Sequence, residues 1–298
     1  MKKIIAKFHY KARSRWRSYF HQRKQRRTRG MILHHYQQHP PHDREIREAV
    51  NYLSGHPLTT FYGTFQEKYD AGEVDVFIDA SNGLPYVLTE GKKLFFKRSL
   101  NSLTVKLLYN ALRVEQDSES PHCYTDLSFQ INKDEILADV GCAEGYFSLL
   151  NIEKVQRTYL FEQDREWVEA LEATFAPWKE KVVIIPSFVS DRNDGEHVSL
   201  DHYFLSVTEK PDFYKIDVEG AESSVLKGMN DLLASKPVKI ALCTYHHQED
   251  YNIFSRYFEE MGFSHRPTPG VMIYQNDLDD MTPPFFRKCM IKATNQHE

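Results

Sequence analysis

From about residue 134 onward, short apolar, β-favouring runs alternate with segments of helical period, and this rhythm constrains the fold more than any other feature of the chain. EILADVG precedes YFSLLNI, TYLFEQD precedes REWVEALEATF, and KVVIIPSFVSD leads into a short connection. DFYKIDV then precedes AESSVLKGMNDLL, and KIALCTY precedes EDYNIFSRYFEEMG. Such alternation predicts an α/β protein with a mainly parallel, doubly wound sheet and helices on both faces. Two late runs, GVMIYQ and RKCMIKAT, have no helix between them and predict a hairpin at one edge. The expected sheet is therefore seven-stranded, with the last strand antiparallel. Ahead of it, HPPHD (39–43) breaks the chain before a helical pattern at 44–53. Residues 54–100 read as irregular to β, with a hairpin around Glu90–Gly91, and 101–113 reads as a helix. The division this suggests is a basic tail over 1–30, an N-terminal α+β cap or substrate region over 31–126, and the sheet domain over 127–298.

Charge separates the tail from the rest. The net charge is −4, yet residues 1–30 hold 12 Lys and Arg and no Asp or Glu, leaving 26 basic against 42 acidic residues elsewhere. The tail also carries Ile4, Ile5, Phe8, Trp16, Tyr19 and Phe20. One reading is a solvated tail, or residues ahead of a start at Met31. Another is a cationic, aromatic segment that contacts an anionic membrane surface. The acidic body argues against broad nucleic-acid binding. Cys123, Cys142, Cys243 and Cys289 show no metal-like spacing, which fits a reducing compartment. No run of about 18 apolar residues exists, and the N-terminus lacks the apolar core of a signal peptide. The expectation is a cytoplasmic protein, with peripheral membrane contact through residues 1–30 as the alternative to a solvated tail.

In doubly wound sheets ligands bind beyond the carboxyl ends of the strands. The first strand ends ADVGCAEGYF, so Asp139, Gly141 and Gly145 form D-x-G-x-x-x-G. The next strand ends LFEQD and places Glu162 17 residues after Gly145, where an acid can accept hydrogen bonds from ribose hydroxyls. A glycine loop after one strand and an acid after the next make a nucleoside pocket. A pyrophosphate binder would want G-x-G-x-x-G and a helix N-terminus free of acids. Here Asp139 and Glu144 crowd the loop and would repel phosphates, but they suit a sulfonium and an amino group. The pocket thus points to S-adenosyl-L-methionine rather than NAD. Ala143, Tyr146, Phe147 and Gln163 belong to the same loops, and Ser190 or Asp191 after the third strand is expected at the adenine edge.

DVGCAEGYFSLL, LFEQD, LDHYF (200–204) and YKIDVEGAESSVLKGM together resemble the FkbM family of S-adenosylmethionine-dependent methyltransferases. The resemblance covers roughly residues 130–294. It implies the class I, Rossmann-like methyltransferase fold and O-methylation of a sugar, glycan or other hydroxylated small molecule. Cys142–Glu144 departs from the family's frequent G-A-N. The segment QDSESPHCY (116–124) also looks like a feature of a subgroup.

YKIDVEGAE (214–222) sets Asp217, Glu219 and Glu222 within six residues. The resemblance makes it the fourth strand and its turn, next to the first strand and close to the cofactor's methyl group. Asp217 is therefore expected beside the cofactor as well as in catalysis. Asp217 and Glu219 are expected to orient or deprotonate an acceptor hydroxyl, with Lys215 offsetting their repulsion. Glu222 reads as a first-turn helix residue favoured by the dipole. His246, in CTYHHQED with His247, is the candidate base. Gln116, Asp117, Ser120, His122 and Tyr124 are candidate acceptor-binding residues in a leader that folds over the cofactor. No metal site is assigned, although Asp217, Glu219 and a histidine form an alternative cation set. Competing functions are an RNA methyltransferase, a non-catalytic nucleotide-binding protein and, at the level of fold, a dehydrogenase.

Overall fold

The structure, a computed structural model, describes residues 22–278 and 281–296 and divides the chain into two compact units. The smaller combines the chain up to Thr64 with Pro269–Arg287. Helix α1 spans 22–38 and α2 is Arg44–Gly55, started by the Asp43 carboxylate, which accepts from the backbone of Glu45 and Ile46. Ile32, Tyr36, Leu53, Ile273 and Phe285 lie in its core. Residues 22–30, expected in a tail, are the first turns of α1, and Arg29 Nε donates to the Leu53 and His56 carbonyls at 2.8 Å. The rest of the basic segment, 1–21, lies outside the described residues.

The larger unit, Phe65–Thr268 with Lys288–Glu298, opens with a three-stranded antiparallel sheet of β1 (Phe77–Ile78), β2 (Pro85–Thr89) and β3 (Lys92–Phe95). Glu90 and Gly91 turn β2 into β3 with φ of 49° and 78°, the twist a two-residue hairpin needs. Helix α3 (Ser102–Glu115) starts where the Asn101 side chain accepts from Thr104 N–H. Then the alternation begins: β4 (Ile136–Val140), α4 (Tyr146–Asn151), β5 (Arg157–Phe161), α5 (Arg165–Phe175) and β6 (Val182–Ile185). A two-stranded parallel sheet, β7 (Phe188–Val189) with β8 (His197–Val198), leads into α6 (Leu200–Leu205). The chain continues through β9 (Phe213–Ile216), α7 (Glu222–Lys227), α8 (Asn230–Ser235), β10 (Lys239–Cys243), α9 (Asp250–Glu260), β11 (Ser264–Pro267) and β12 (Met290–Thr294).

The main sheet has seven strands in the order β11-β12-β10-β9-β4-β5-β6. Only β12 runs against its neighbours. Successive residues alternate between two cores, as a sheet covered on both faces requires. Ala138, Val140, Phe161, Tyr214 and Ile216 face one core, with Leu226, Leu232, Phe254 and Phe258. Leu137, Leu160, Phe213, Ala241 and Cys243 face the other, with Val105, Tyr109, Leu149 and Phe175.

Three expectations are corrected. The sixth strand is Ser264–Pro267, not GVMIYQ; Val271 and Ile273 instead fill the core of the smaller unit. The third strand stops at Ile185, so Ser190 and Asp191 lie between the two strands of a separate pair rather than at the end of a main-sheet strand. Residues 65–126 belong to the same compact unit as the sheet, and the N-terminal unit instead recruits 269–287, so the division at 31–126 and 127–298 does not describe the structure.

Gly141, just past β4, has φ of 73°, and a Cβ built there would lie 2.0 Å from the Asp217 carbonyl oxygen. The loops after β4 and β9 therefore touch backbone to backbone. Gly141→Ala is expected to destabilise the protein by more than about 1 kcal/mol, read as a lower midpoint in urea unfolding.

Candidate active site

The sheet's topology switches at β4, which pairs with β5 on one side and β9 on the other. Their carboxyl ends, with that of β10, carry the site. Asp139 and Lys215 are direct cross-strand partners, so their side chains share a face. Lys215 Nζ lies 3.1 Å from Asp139 Oδ1 and donates to the Gly141 carbonyl at 2.5 Å. Ser148 Oγ donates to Asp139 Oδ2 at 2.7 Å. Lys215 is 4% exposed and Asp139 1%. Burial works against the Lys215 charge, but Asp139 and Asp217 more than offset it and hold the ammonium above its ordinary range. Lys215 thus stays charged and acts as the counterion of the loop, not as a base. Asp139, enclosed by Ser148 and Lys215, braces the glycine loop from inside.

Asp217 stands one residue beyond β9. Tyr124 Oη donates to its Oδ2 at 2.9 Å and Tyr245 Oη to its Oδ1 at 3.1 Å. His122 Nε2 lies 3.6 Å from Oδ2, and His246 Nε2 lies 3.6 Å from Oδ1. Burial would raise the Asp217 carboxyl, but His122, Lys215 and His246 outweigh it and hold the group well below the usual carboxylate range. Burial keeps both tyrosine hydroxyls protonated and donating. Asp217 is therefore a fixed anion at the centre of the site, too weak a base to take a proton from a hydroxyl unaided.

His246 sits beyond β10 and gathers acids. Its Nδ1 is 2.9 Å from Glu222 Oε1, and its Nε2 is 3.6 Å from Glu219 Oε2. Burial lowers the imidazole's proton affinity, but Glu222, Asp217 and Glu219 raise it beyond that and give a net upward shift. Glu222 is buried, and Oε1 also accepts from Val218 N–H at 3.0 Å. Its place in the first turn of α7 matches the helix reading, but its partner is His246, a role that reading missed. Glu219 is held at φ 54° with its side chain 81% exposed. His247 is exposed and turned to Asp250.

The cofactor loop is ordered by Glu162, whose Oε2 accepts from Ala143 N–H at 3.1 Å and Oε1 from Asp164 N–H at 2.7 Å. Both oxygens keep a free lone pair for a hydroxyl. Glu144 is half-buried; burial, with Glu115 adding, pushes its carboxyl up to about 7. Gln163 is exposed beside Glu162. Tyr146 and Phe147 are core residues: Tyr146 meets Tyr109 edge-on, and Phe147 packs on Tyr124 and Phe213. Ser190 is buried, its carbonyl 2.3 Å from where a Cβ on Gly228 would sit, and Asp191 is exposed.

Of the five leader residues, two reach the centre, His122 and Tyr124. Gln116 brackets them by donating to the His122 carbonyl and accepting from Tyr124 N–H. Asp117 is spent on Tyr69, Lys68 and Glu119 N–H. Ser120 Oγ accepts from His122 N–H. Tyr245 went unnoticed beside its histidine neighbours, although CTYHH places it one residue before His246.

Taken together, a doubly wound seven-stranded sheet with β12 antiparallel, a glycine loop after β4 and an acid after β5 define the class I, Rossmann-like methyltransferase fold. Residues 95–265 match the methyltransferase FkbM domain, more than half of the sequence, and the chain belongs to that family. No curated protein matches it in sequence. Among solved structures, it is similar to the FkbM methyltransferase of Methylobacillus flagellatus at 18% identity and a TM-score of 0.45, over 64% of this chain and 52% of that one. The match thus spans about half of that protein. A precorrin-6y C5,15-methyltransferase from Geobacter metallireducens aligns at 12% identity and a TM-score of 0.40, over 56% and 82% of the two chains. A Streptococcus mutans methyltransferase solved with SAH aligns at 15% and 0.38, over 56% and 93%. The family assignment rests on the domain match, not on these overlays.

Lys215→Ala would leave Asp139 charged and buried without a counterion. Loss of about 3–5 kcal/mol is expected, measured by denaturant unfolding.

Proposed function

We propose that the protein transfers a methyl group from S-adenosyl-L-methionine to a hydroxyl of a sugar, glycan or related small molecule. The observation that carries the reading is the adjacency of two acidic centres. Lys215 holds Asp139 and the Gly141 carbonyl of the glycine loop, and its charge also acts on Asp217, which lies among two tyrosines and two histidines. The donor set suits the cofactor: Glu162 has lone pairs for ribose hydroxyls, and Glu144 offers a carboxylate to a cation at the loop. When bound, S-adenosyl-L-methionine supplies an activated methyl group. In this reading Asp217, Glu219 and His246 orient the acceptor and relieve it of its proton, with His122 and Tyr124 closing over it. The basic segment 1–30 would serve membrane contact. That role and a cytoplasmic setting belong to the same proposal; among the described residues no helix is long and apolar enough to cross a membrane.

Calorimetric titration with S-adenosylhomocysteine tests the cofactor. Micromolar binding that collapses in Glu162→Ala, with the variant's fold checked by circular dichroism, is expected. No binding to folded wild type would remove the reading. Labelled-methyl transfer to a sugar panel, with RNA beside it, then tests the acceptor; transfer to RNA alone would replace the sugar reading.

Glu144 gives the pH dependence. Its carboxyl, raised to about 7, is neutral below that pH and ionised above it. A cationic cofactor prefers the ionised form, so affinity for S-adenosyl-L-methionine should rise between about pH 6 and 8, by at most about tenfold per unit. Glu144→Gln should flatten the profile. The sign for folding is opposite: the raised value favours the folded state at low pH, and that contribution is lost as pH climbs through 7.

A further inference from the structure

We infer that Asp217, Glu222 and His246 hold a divalent cation, and that this centre, resting on the methyltransferase reading, activates the acceptor hydroxyl through the ion. One ligand atom from each lies within 4.8 Å of the others, close enough for a single ion to bridge them after small adjustments. The three come from two elements, the turn from β9 into α7 and the end of β10, so the cluster is a product of the fold and not of one acidic run.

A second observation points to a ligand. Glu222 Oε2 is fully buried and has no hydrogen-bond partner, whereas Oε1 accepts from Val218 N–H and lies 2.9 Å from His246 Nδ1. A buried carboxylate oxygen without a donor is costly, and a cation would satisfy it. The local charges agree. Among the described residues no Lys or Arg forms an ion pair with Asp217, Glu219 or Glu222; their ion-pair partners are His122 and His246. Lys215, the nearest fixed cation along the strand, is committed to Asp139 and the Gly141 carbonyl.

The ligand chemistry narrows the ion. Two carboxylates and one imidazole suit Mn2+, Fe2+ or Zn2+ better than Ca2+, which takes six to eight oxygens. Asp217 is held by Tyr124 at Oδ2 and by Tyr245 at Oδ1, and its Oδ1 lies 3.6 Å from His246 Nε2. Bound to the ion, the acceptor oxygen would have its pKa lowered. The proton passes to the exposed Glu219 carboxylate, and the oxygen attacks the methyl carbon as the carbon–sulfur bond breaks, releasing S-adenosylhomocysteine.

The test titrates Mn2+ alone into the full chain, following loss of the free-ion signal by electron paramagnetic resonance, with Zn2+ and Mg2+ as competitors. S-adenosylhomocysteine calorimetry is run in parallel in EDTA. One Mn2+ per chain is expected, with affinity at least tenfold weaker in Glu222→Gln and in His246→Gln. The melting temperature of wild type should rise with Mn2+, and that of the variants should not. If S-adenosylhomocysteine binds but none of the three metals does up to millimolar concentration, the cation is overturned and the methyltransferase reading stands. Mn2+ binding unchanged in both variants overturns it as well, since the ion then sits elsewhere. Failure of S-adenosylhomocysteine to bind strikes the methyltransferase reading whatever Mn2+ does.

Discussion

The contact on which the rest of the site depends is the buried ion pair between Lys215 and Asp139. It joins β4 to β9 at the point where the sheet changes direction, and each of its ends does a second task. Asp139 receives Ser148 from α4, which fixes the helix that follows the glycine loop. Lys215 clamps the Gly141 carbonyl and lends its charge to Asp217. A buried pair of this kind adds little net stability over apolar residues, but neither member can be removed alone. Its value here lies in position: it sets the glycine loop and the Asp217 centre at a fixed separation.

Most of the sheet is legible in the sequence because its central strands are buried on both faces and read as largely apolar runs, each carrying a single charged residue. The edge strand Ser264–Pro267 is not. It alternates between exposed and half-buried, contains a proline that an edge tolerates, and carries no apolar signal at all. GVMIYQ, a far stronger strand pattern, was the natural substitute, yet its apolar residues serve a different core. Periodicity reports that a side is buried, not which unit buries it. The same blindness hides the return of 269–287 to the N-terminal unit.

The site was legible where a residue's chemistry and its place at a strand end coincide. Glu162, Asp217 and His246 stand at strand ends, and all three face the loops that carry the site. The helix-start reading of Glu222 holds, but its contact with His246 is not legible, because the first turn of a helix already explains an acid and nothing in the sequence says that a histidine 24 residues on will face it. Tyr146 and Phe147 neighbour the glycine loop in sequence, and α4 turns their side chains into the core. Asp139 opens the motif but points inward, so it holds the loop up rather than lining it.

Tyr124 reaches Asp217 across 93 residues of sequence, from a segment that precedes every strand of the main sheet. The sheet supplies one wall of the acceptor centre and the leader supplies the other. The two can therefore change at different rates. Substitutions around SESPHCY could reshape what the centre admits without disturbing any strand pairing, while the machinery beneath is held in place by the core. The leader is thus the natural place for a lineage built on this sheet to acquire a new acceptor.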